Sequence, residues 1–394
     1  MGNAASDISI FADGEMEHEF EIHGGAGDVS VKELISQGYN MVVDSVIRPP
    51  RISYDLDELG PKSFTVHDPC TEETIHVLRE DFKIRNERHL NLSCSHWRIV
   101  EDDEITVKTA PCLIYLHSNL GSRQDVLKLR DEALMVGFSV LAFDFSGSGN
   151  SDGIYVTMGW NESVDLKTVL DHVENDETVI DIVFYAHSMG GYPAMINVAS
   201  RYQDKGHELA IEGAGVDAIP APFRRNNLTT YTKSIRGMIL DSAYSTMDEV
   251  TDELVMSVRQ EGFQIPKMLL KSAAKFVEKS VEKRADVDLS VLRPIEFAPL
   301  CKIPALIVYG TKDQYIMPDH AKTLDSKYAG PHTTLPLDFD HYAKRPSDSY
   351  RLAILFLRMV RTKINEHQYD ETLSTEYQDH IRQVKQSVFR PASA

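Results

Sequence analysis

Five short apolar runs recur along the chain: PCLIYLHS (111–118), FSVLAFDF (138–145), IDIVFYA (180–186), MILD (238–241) and ALIVY (305–309). Each reads as a strand buried on both faces, because it lacks the polar alternation of a strand with one wet side. Helix-period stretches separate them, near Val126–Met135, Val164–Val173, from the turn after Ser188 to about Arg201, and at Tyr350–Ile364. Doubly buried strands alternating with helices make an α/β fold, a mostly parallel central sheet with helices on both faces. DFKIR (81–85) and NLSCSHWRIV (91–100) read as earlier strands of the same sheet. In such sheets ligands bind outside the carboxyl ends of the strands, so residues there are the candidates for function.

The IDIVFYA strand runs into HSMGG. This is a strand–turn–helix arrangement with Ser188 at the apex and Gly190 and Gly191 behind it, and Ala186 stands where G-x-S-x-G has its first glycine. A serine hydroxyl is a poor nucleophile at neutral pH and needs a base that is itself oriented by an acid. Downstream, ALIVYG ends in TKDQ, which puts Asp313 on the loop after that strand. The next short strand, around Leu335–Leu337, runs into DFDHY and puts His341 on the following loop. The order Ser188, Asp313, His341 is that of a nucleophile-elbow hydrolase. His187 is a neighbour of Ser188 at the elbow and points away from it. The rival acids are Asp144 and Asp241, which end other strands, and Asp338 and Asp340, which lie too close to His341. Acyl chemistry also needs donors for the oxyanion. The backbone N–H groups of Met189 and Asn119 are the candidates, and His117 is expected to structure its loop.

These residues lie in segments that resemble the α/β-hydrolase superfamily, in its serine aminopeptidase-like branch of eukaryotic serine hydrolases. The likeness covers roughly residues 40–360, from VIRPPR onward. It is most specific in LIYLHSNLGSR, FDFSGSGNSDG, YAHSMGG, ILDSAYS, YGTKDQYIMP and FDHYAKRP. The family usually has His-Gly where this chain has His117-Ser118, and many relatives carry arginine at Ser146. Some lipases of this architecture share the A-H-S-M-G form. The resemblance implies an α/β-hydrolase fold and a serine hydrolase that uses no cofactor and no metal. By analogy with mammalian relatives that remove palmitate from proteins, it points to ester or thioester substrates, a small molecule or a lipidated protein. The alternatives are a serine peptidase or amidase, and a non-catalytic interaction protein on a hydrolase scaffold.

The remaining segments frame this domain. Residues 1–30 carry seven acids and no Lys or Arg and read as a mobile acidic tail. The hydrolase domain is expected over 31–366, with a surface insertion at 203–235 and a polar extension at 367–394. Residues 246–300 are helical and read either as a small cap over the site or as ordinary crossover helices. The helix from Ser30 to before Pro49-Pro50 either docks on the domain or lies on a membrane. MGNAAS matches the acceptor for N-myristoylation at Gly2. A single such chain gives only reversible membrane contact. The expected location is cytoplasmic, or peripheral at the cytosolic face of membranes, with Cys70, Cys94, Cys112 and Cys301 as reduced thiols. A net charge of −19, from 41 basic and 60 acidic residues, argues against nucleic acid and against a bare anionic membrane as partner.

Overall fold

The structure, a computed structural model, describes residues 8–9, 19–20, 31–67, 72–101, 105–201, 209, 215, 218–224, 230–260, 267–366, 375, 378–379 and 381–383. Near the start, β1 (Ile8–Ser9) pairs antiparallel with β2 (Glu19–Phe20), a contact that a structureless tail does not foresee. The rest of 1–30, including Gly2, lies outside the described residues, as does Cys70.

Nine strands form the main sheet, in the order β11-β10-β9-β8-β6-β7-β5-β4-β3. Antiparallel β3 (Ser63–His67), β4 (Thr74–Arg85) and β5 (Asn91–Val100) make one wing. The parallel part holds β6 (Ala110–Leu116), β7 (Ser139–Phe143), β8 (Val179–His187), β9 (Ile235–Asp241), β10 (Ala305–Gly310) and β11 (His332–Leu337). The sequence reading has no counterpart of β3. Its residues SFTVH are exposed or half-buried throughout, so this edge strand leaves no apolar run.

Two hydrophobic clusters, one on each face, explain why the central strands are apolar through their middles, with the Asp181–Arg236 pair only near the entering ends of β8 and β9. Ile114, Leu116, Phe184, Ala186, Leu240 and Ile307 pack on one side with α3 (Trp160–Glu174) and α4 (Gly191–Arg201). The alternate residues Leu113, Tyr115, Val183, Tyr185, Ile239 and Leu306 pack on the other, against α2 (Leu127–Met135) and α8 (Ser347–Glu366). Side chains alternate across a strand, so burying both faces leaves no position for a polar residue.

Strand β6 pairs with β7 on one side and β8 on the other, so its chain leaves in one direction while β8 follows in the other. Such a reversal opens a crevice between the outgoing loops. Here those loops are 117–121 and 187–191. Between β9 and β10 the chain makes two helices, α5 (Met247–Gln260) and α6 (Lys267–Ala285), which pack on each other. Helix α1 (Val31–Ile47) docks on α6, with Val43 and Ile47 buried in the first cluster.

Two expected surface segments reach the interior. Within 203–235, Ile219 and Phe223 are buried in the first cluster, so this stretch is more than a surface insertion. Ile381 is buried in the second cluster, so the 367–394 segment is not wholly a polar extension. Leu209 and Ala218 join Ile219 and Phe223 in the first segment, whereas Ile381 enters alone from the second, and local composition does not report which apolar side chains find a gap in the domain.

Candidate active site

Ser188 sits at the sharp turn between β8 and α4 with φ at +52°, in the left-handed region. A side chain there costs about 1–2 kcal/mol, and the surrounding packing holds the turn in place. A Cβ on Gly190 would lie 2.6 Å from the Leu116 carbonyl oxygen, and one on Gly191 would lie 2.6 Å from the Ala243 Cβ. Both glycines are therefore required by close approach, to β6 on one side and to the residues after β9 on the other. Ala186 is still within β8, opposite Leu116 and Leu240, with its methyl group in the core, so a glycine is not needed there.

The Ser188 Oγ lies 2.9 Å from His341 Nε2, and His341 Nδ1 lies 2.6 Å from Asp313 Oδ2. All three residues are buried, and they come from loops after β8, β11 and β10. The second Asp313 oxygen accepts the backbone N–H groups of Tyr315 (3.0 Å) and Ile316 (2.8 Å), which fixes the carboxylate plane toward His341. Tyr342 packs edge-on against the His341 ring at 4.8 Å, and Tyr315 stands 5.9 Å away on the Asp313 loop.

Met189 is buried directly after Ser188. Asn119 lies in the turn after β6, where the Gly121 N–H donates to the Ser118 carbonyl at 3.0 Å. The His117 Nε2 accepts the Phe145 N–H at 3.0 Å, so its proton sits on Nδ1 and is donated to the Ser118 carbonyl at 2.7 Å. Burial lowers its pKa, in keeping with a neutral ring that braces two loops.

The rival carboxylates are engaged elsewhere. Asp144 accepts the N–H groups of Arg123 and Asn150, both at 2.8 Å, and the Tyr54 hydroxyl. Asp338 is on the surface with Lys312. Ser146 bonds Asp165 at 2.6 Å, and Arg88 reaches both, at 2.8 and 2.7 Å. A guanidinium thus reaches the glycine-rich turn from another strand connection. Arg51, from VIRPPR, also donates to the carbonyls of Ser148, Gly149, Ser151 and Gly153 in that turn.

Arg345, within FDHYAKRP, has no function that the local sequence discloses. Its buried guanidinium joins three parts of the site. Nε donates to both Asp241 oxygens, at 2.9 and 3.2 Å. Nη1 donates to the carbonyls of His341 (2.9 Å) and Ala343 (3.1 Å), and Nη2 to His187 Nε2 (2.7 Å). Burial alone would raise the Asp241 pKa, but the Arg345 charge and the Tyr185 hydroxyl bring it below the usual carboxylate value. No local pattern marks Arg345, because its partners are 104 and 158 residues away in sequence.

A cleft of about 430 Å³ opens beside this arrangement, lined by Ser118, Gly121, Lys128, Tyr185, His341 and Tyr342 among others. Among the described residues no cluster of His, Cys, Asp or Glu has the arrangement to hold a metal ion.

Two buried histidines, one at the site and one at the far end of β6, make stability depend on pH. Burial holds His96, fully enclosed beside Cys112, and His187 down to about 3. His187 keeps part of its surface open to the cleft, so its share is the smaller. Both folded values lie below the unfolded one near 6.5. The stability they contribute is present above that value and is lost as pH falls toward 3, because the unfolded chain takes up protons that the folded one refuses. Melting followed from pH 7.5 to 5 should show stability falling by up to about 2.5 kcal/mol per pH unit near pH 5.5. A melting temperature that stays level across that range contradicts the burial of both rings.

A family model described as serine aminopeptidase, S33, matches residues 127–337, more than half of the 394 residues. The chain belongs to the serine aminopeptidase S33 family. The match includes Ser188 and Asp313 and stops four residues short of His341. The nine-stranded sheet with helices on both faces is the α/β-hydrolase fold of that family. Solved structures similar to this S33 family member include three hydrolases. The Pyrococcus furiosus esterase Pf2001 is 16% identical over 86% of this chain and 98% of its own, with a TM-score of 0.49. The esterase Est1E from Butyrivibrio proteoclasticus, solved with ferulic acid, is 15% identical over 72% and 98%, at 0.46. Alpha/beta hydrolase domain-containing protein 10 from mouse is 14% identical over 73% and 100%, at 0.45. No curated protein sequence matches the chain.

Proposed function

We propose that this S33 family member is a serine hydrolase that cleaves acyl ester or thioester bonds through an acyl-enzyme on Ser188. The observation that carries the reading is the unbroken line of contacts from Ser188 Oγ through His341 to Asp313, at 2.9 and 2.6 Å. His341 Nε2 removes the hydroxyl proton as Oγ attacks the acyl carbonyl, and Asp313 holds the proton on Nδ1 and steadies the imidazolium. The N–H groups of Met189 and Asn119 receive the oxyanion. As the tetrahedral intermediate collapses, His341 returns the proton to the departing alcohol or thiol, and water then releases the acyl group by the same path reversed.

The family's description names an aminopeptidase, and an amide substrate is the competing reading. An aminopeptidase needs a free carboxylate to hold the substrate's ammonium group. The triad's own Asp313 is held by His341 and two N–H groups, the buried Asp241 by Arg345, Tyr185 and Ser242, and Asp125 on the cleft wall by the Ser122 N–H and Lys128. Alcohols and thiols also leave more readily than amines, which suits a site without that anchor. The acyl substrate is a small molecule or a lipidated protein, met at a membrane surface that an N-myristoyl group on Gly2 helps the enzyme to reach.

Labelling by a fluorophosphonate probe is the test. The wild type should label, and Ser188→Ala and His341→Ala should not. Activity on p-nitrophenyl acyl esters should exceed that on aminoacyl amides. A folded wild type that resists the probe would move the chain to the non-catalytic reading, and a preference for the amides would move it to the peptidase one.

A further inference from the structure

Helix α6 presents an outward face unlike the rest of this acidic chain. Val281 and Ala285 are buried, and Leu270, Ala274 and Val277 are half-buried beside them, so they mark its inner side. At about 100° per residue, Lys275, Met268, Lys279, Lys283, Phe276 and Leu269 fall within roughly 120° on the opposite side. All six are exposed, Met268 at 80% and Phe276 at 40%, and no Asp or Glu of α6 itself falls within that arc, the exposed Asp286 following just past its end. The acids of α6, Glu278 and Glu282, lie on the flank toward Lys271, which is paired with Asp252 of α5 at 2.8 Å. Lys275, Lys279 and Lys283 form no salt bridge among the described residues.

Helix α1 covers the other flank. Tyr39 bonds Ser280 Oγ at 2.6 Å and the Phe276 carbonyl at 2.8 Å, and Arg284 reaches Asp44 at 3.3 Å and also Asn40. The two helices run in the same direction, so the start of α1 lies toward the Met268 end of α6. On the adjoining α1, Met41, at 72%, and Val42 are exposed apolar side chains as well.

We infer that the outer face of α6, with Met41 and Val42 of α1, docks on an anionic lipid surface. Three lysines interleaved with three large apolar side chains call for a partner that supplies negative charge and an apolar depth a few ångströms apart. The headgroup–acyl boundary of a bilayer does both: Met268, Leu269 and Phe276 enter it while the lysine stems lie along it and their ammonium groups stay at the phosphates. The overall charge of −19 does not cancel this attraction, because charges more than about 8 Å away are screened at physiological salt. The docking stands without acylation at Gly2 and without the chemistry at Ser188. It supplies the second signal that a single acyl chain requires.

Flotation of the full-length, unacylated protein with vesicles tests this. Binding is expected to phosphatidylcholine vesicles containing about 30% phosphatidylserine, to be absent with phosphatidylcholine alone, and to be lost at about 0.5 M salt. Each lysine near such a surface strengthens binding roughly five-fold, so Lys275→Gln/Lys279→Gln/Lys283→Gln together should weaken it on the order of 100-fold. Met268→Ser/Phe276→Ser should weaken it as well. Both sets lie on the surface, so unchanged circular dichroism and ester hydrolysis show that the fold is intact. Failure of the wild type to float with the anionic vesicles overturns the inference, as does a triple-Gln variant that floats equally well. Binding of a polyglutamate peptide in preference to the vesicles also overturns it, in favour of an acidic protein segment.

Discussion

Replacing His341 with alanine is expected to lower turnover of a p-nitrophenyl ester by about 10⁶-fold, and adding Ser188→Ala to that variant should cost almost nothing more. Without Nε2 at 2.9 Å nothing takes the Ser188 proton, and without Oγ the base has nothing to activate. On the proposed acyl-enzyme route the two groups act as one unit, so their losses should not add. Asp313→Asn should cost less, about 10⁴-fold, because it leaves both groups in place but removes the acceptor that holds the proton on His341 Nδ1. Steady-state kinetics of the two singles and the double decide the matter. A double variant worse than either single by the product of their effects would mean that Ser188 and His341 act separately, and the acyl-enzyme route would fail.

The second large effect is expected at Arg345. Arg345→Met leaves the buried Asp241 carboxylate without its counter-charge, a loss of roughly 3–5 kcal/mol, read as a melting point lower by about 5 °C in a chain of this size. It also releases the His341 and Ala343 carbonyls and the His187 ring, so kcat should fall together with stability. Asp241→Asn added to Arg345→Met separates the two roles. Removing the orphaned charge should restore most of the melting temperature, while kcat should stay low because the His341 carbonyl is still unheld. If kcat recovers along with the melting temperature, Arg345 supports the fold alone. Arg345→Lys should sit between, since an ammonium keeps the charge and cannot reach Asp241, two loop carbonyls and His187 from one plane.

Much of the site could be read from the sequence because its demands are local. An elbow needs small residues within three positions of its serine, and a Cβ on Gly190 or Gly191 would come within 2.6 Å of Leu116 in β6 or of Ala243 just after β9. Asp313 and His341 each follow a short apolar run, so their placement at strand ends comes directly from the strand reading. Ser188, His341 and Asp313 are then brought together by the parallel order β8-β9-β10-β11, which places their loops together at the carboxyl ends of the strands.

Other parts had no local signature. Strand β3 is an edge strand whose residues are half-wet, so its pattern is weak. Ile219 and Phe223 belong to the short Pro-interrupted run AIPAPF, which has neither strand nor helix period, and the buried Ile381 stands alone in a polar stretch. Arg345 and Asp241 are separated by 104 residues, and the choice of partner for a guanidinium depends on which carboxylate is desolvated beside it.

What the sequence by itself determined was the fold class and the order of the chemical groups, because doubly buried strands must be apolar throughout and a strand-to-helix elbow must be built from small residues. The tertiary structure alone decided which charges meet. It placed Arg345 between His187 and Asp241, gave the glycine-rich turn its arginine from position 51, and turned three lysines and three apolar side chains of α6 outward beside α1. Those outcomes depend on burial and on distances between residues far apart in the chain, and a linear pattern carries neither.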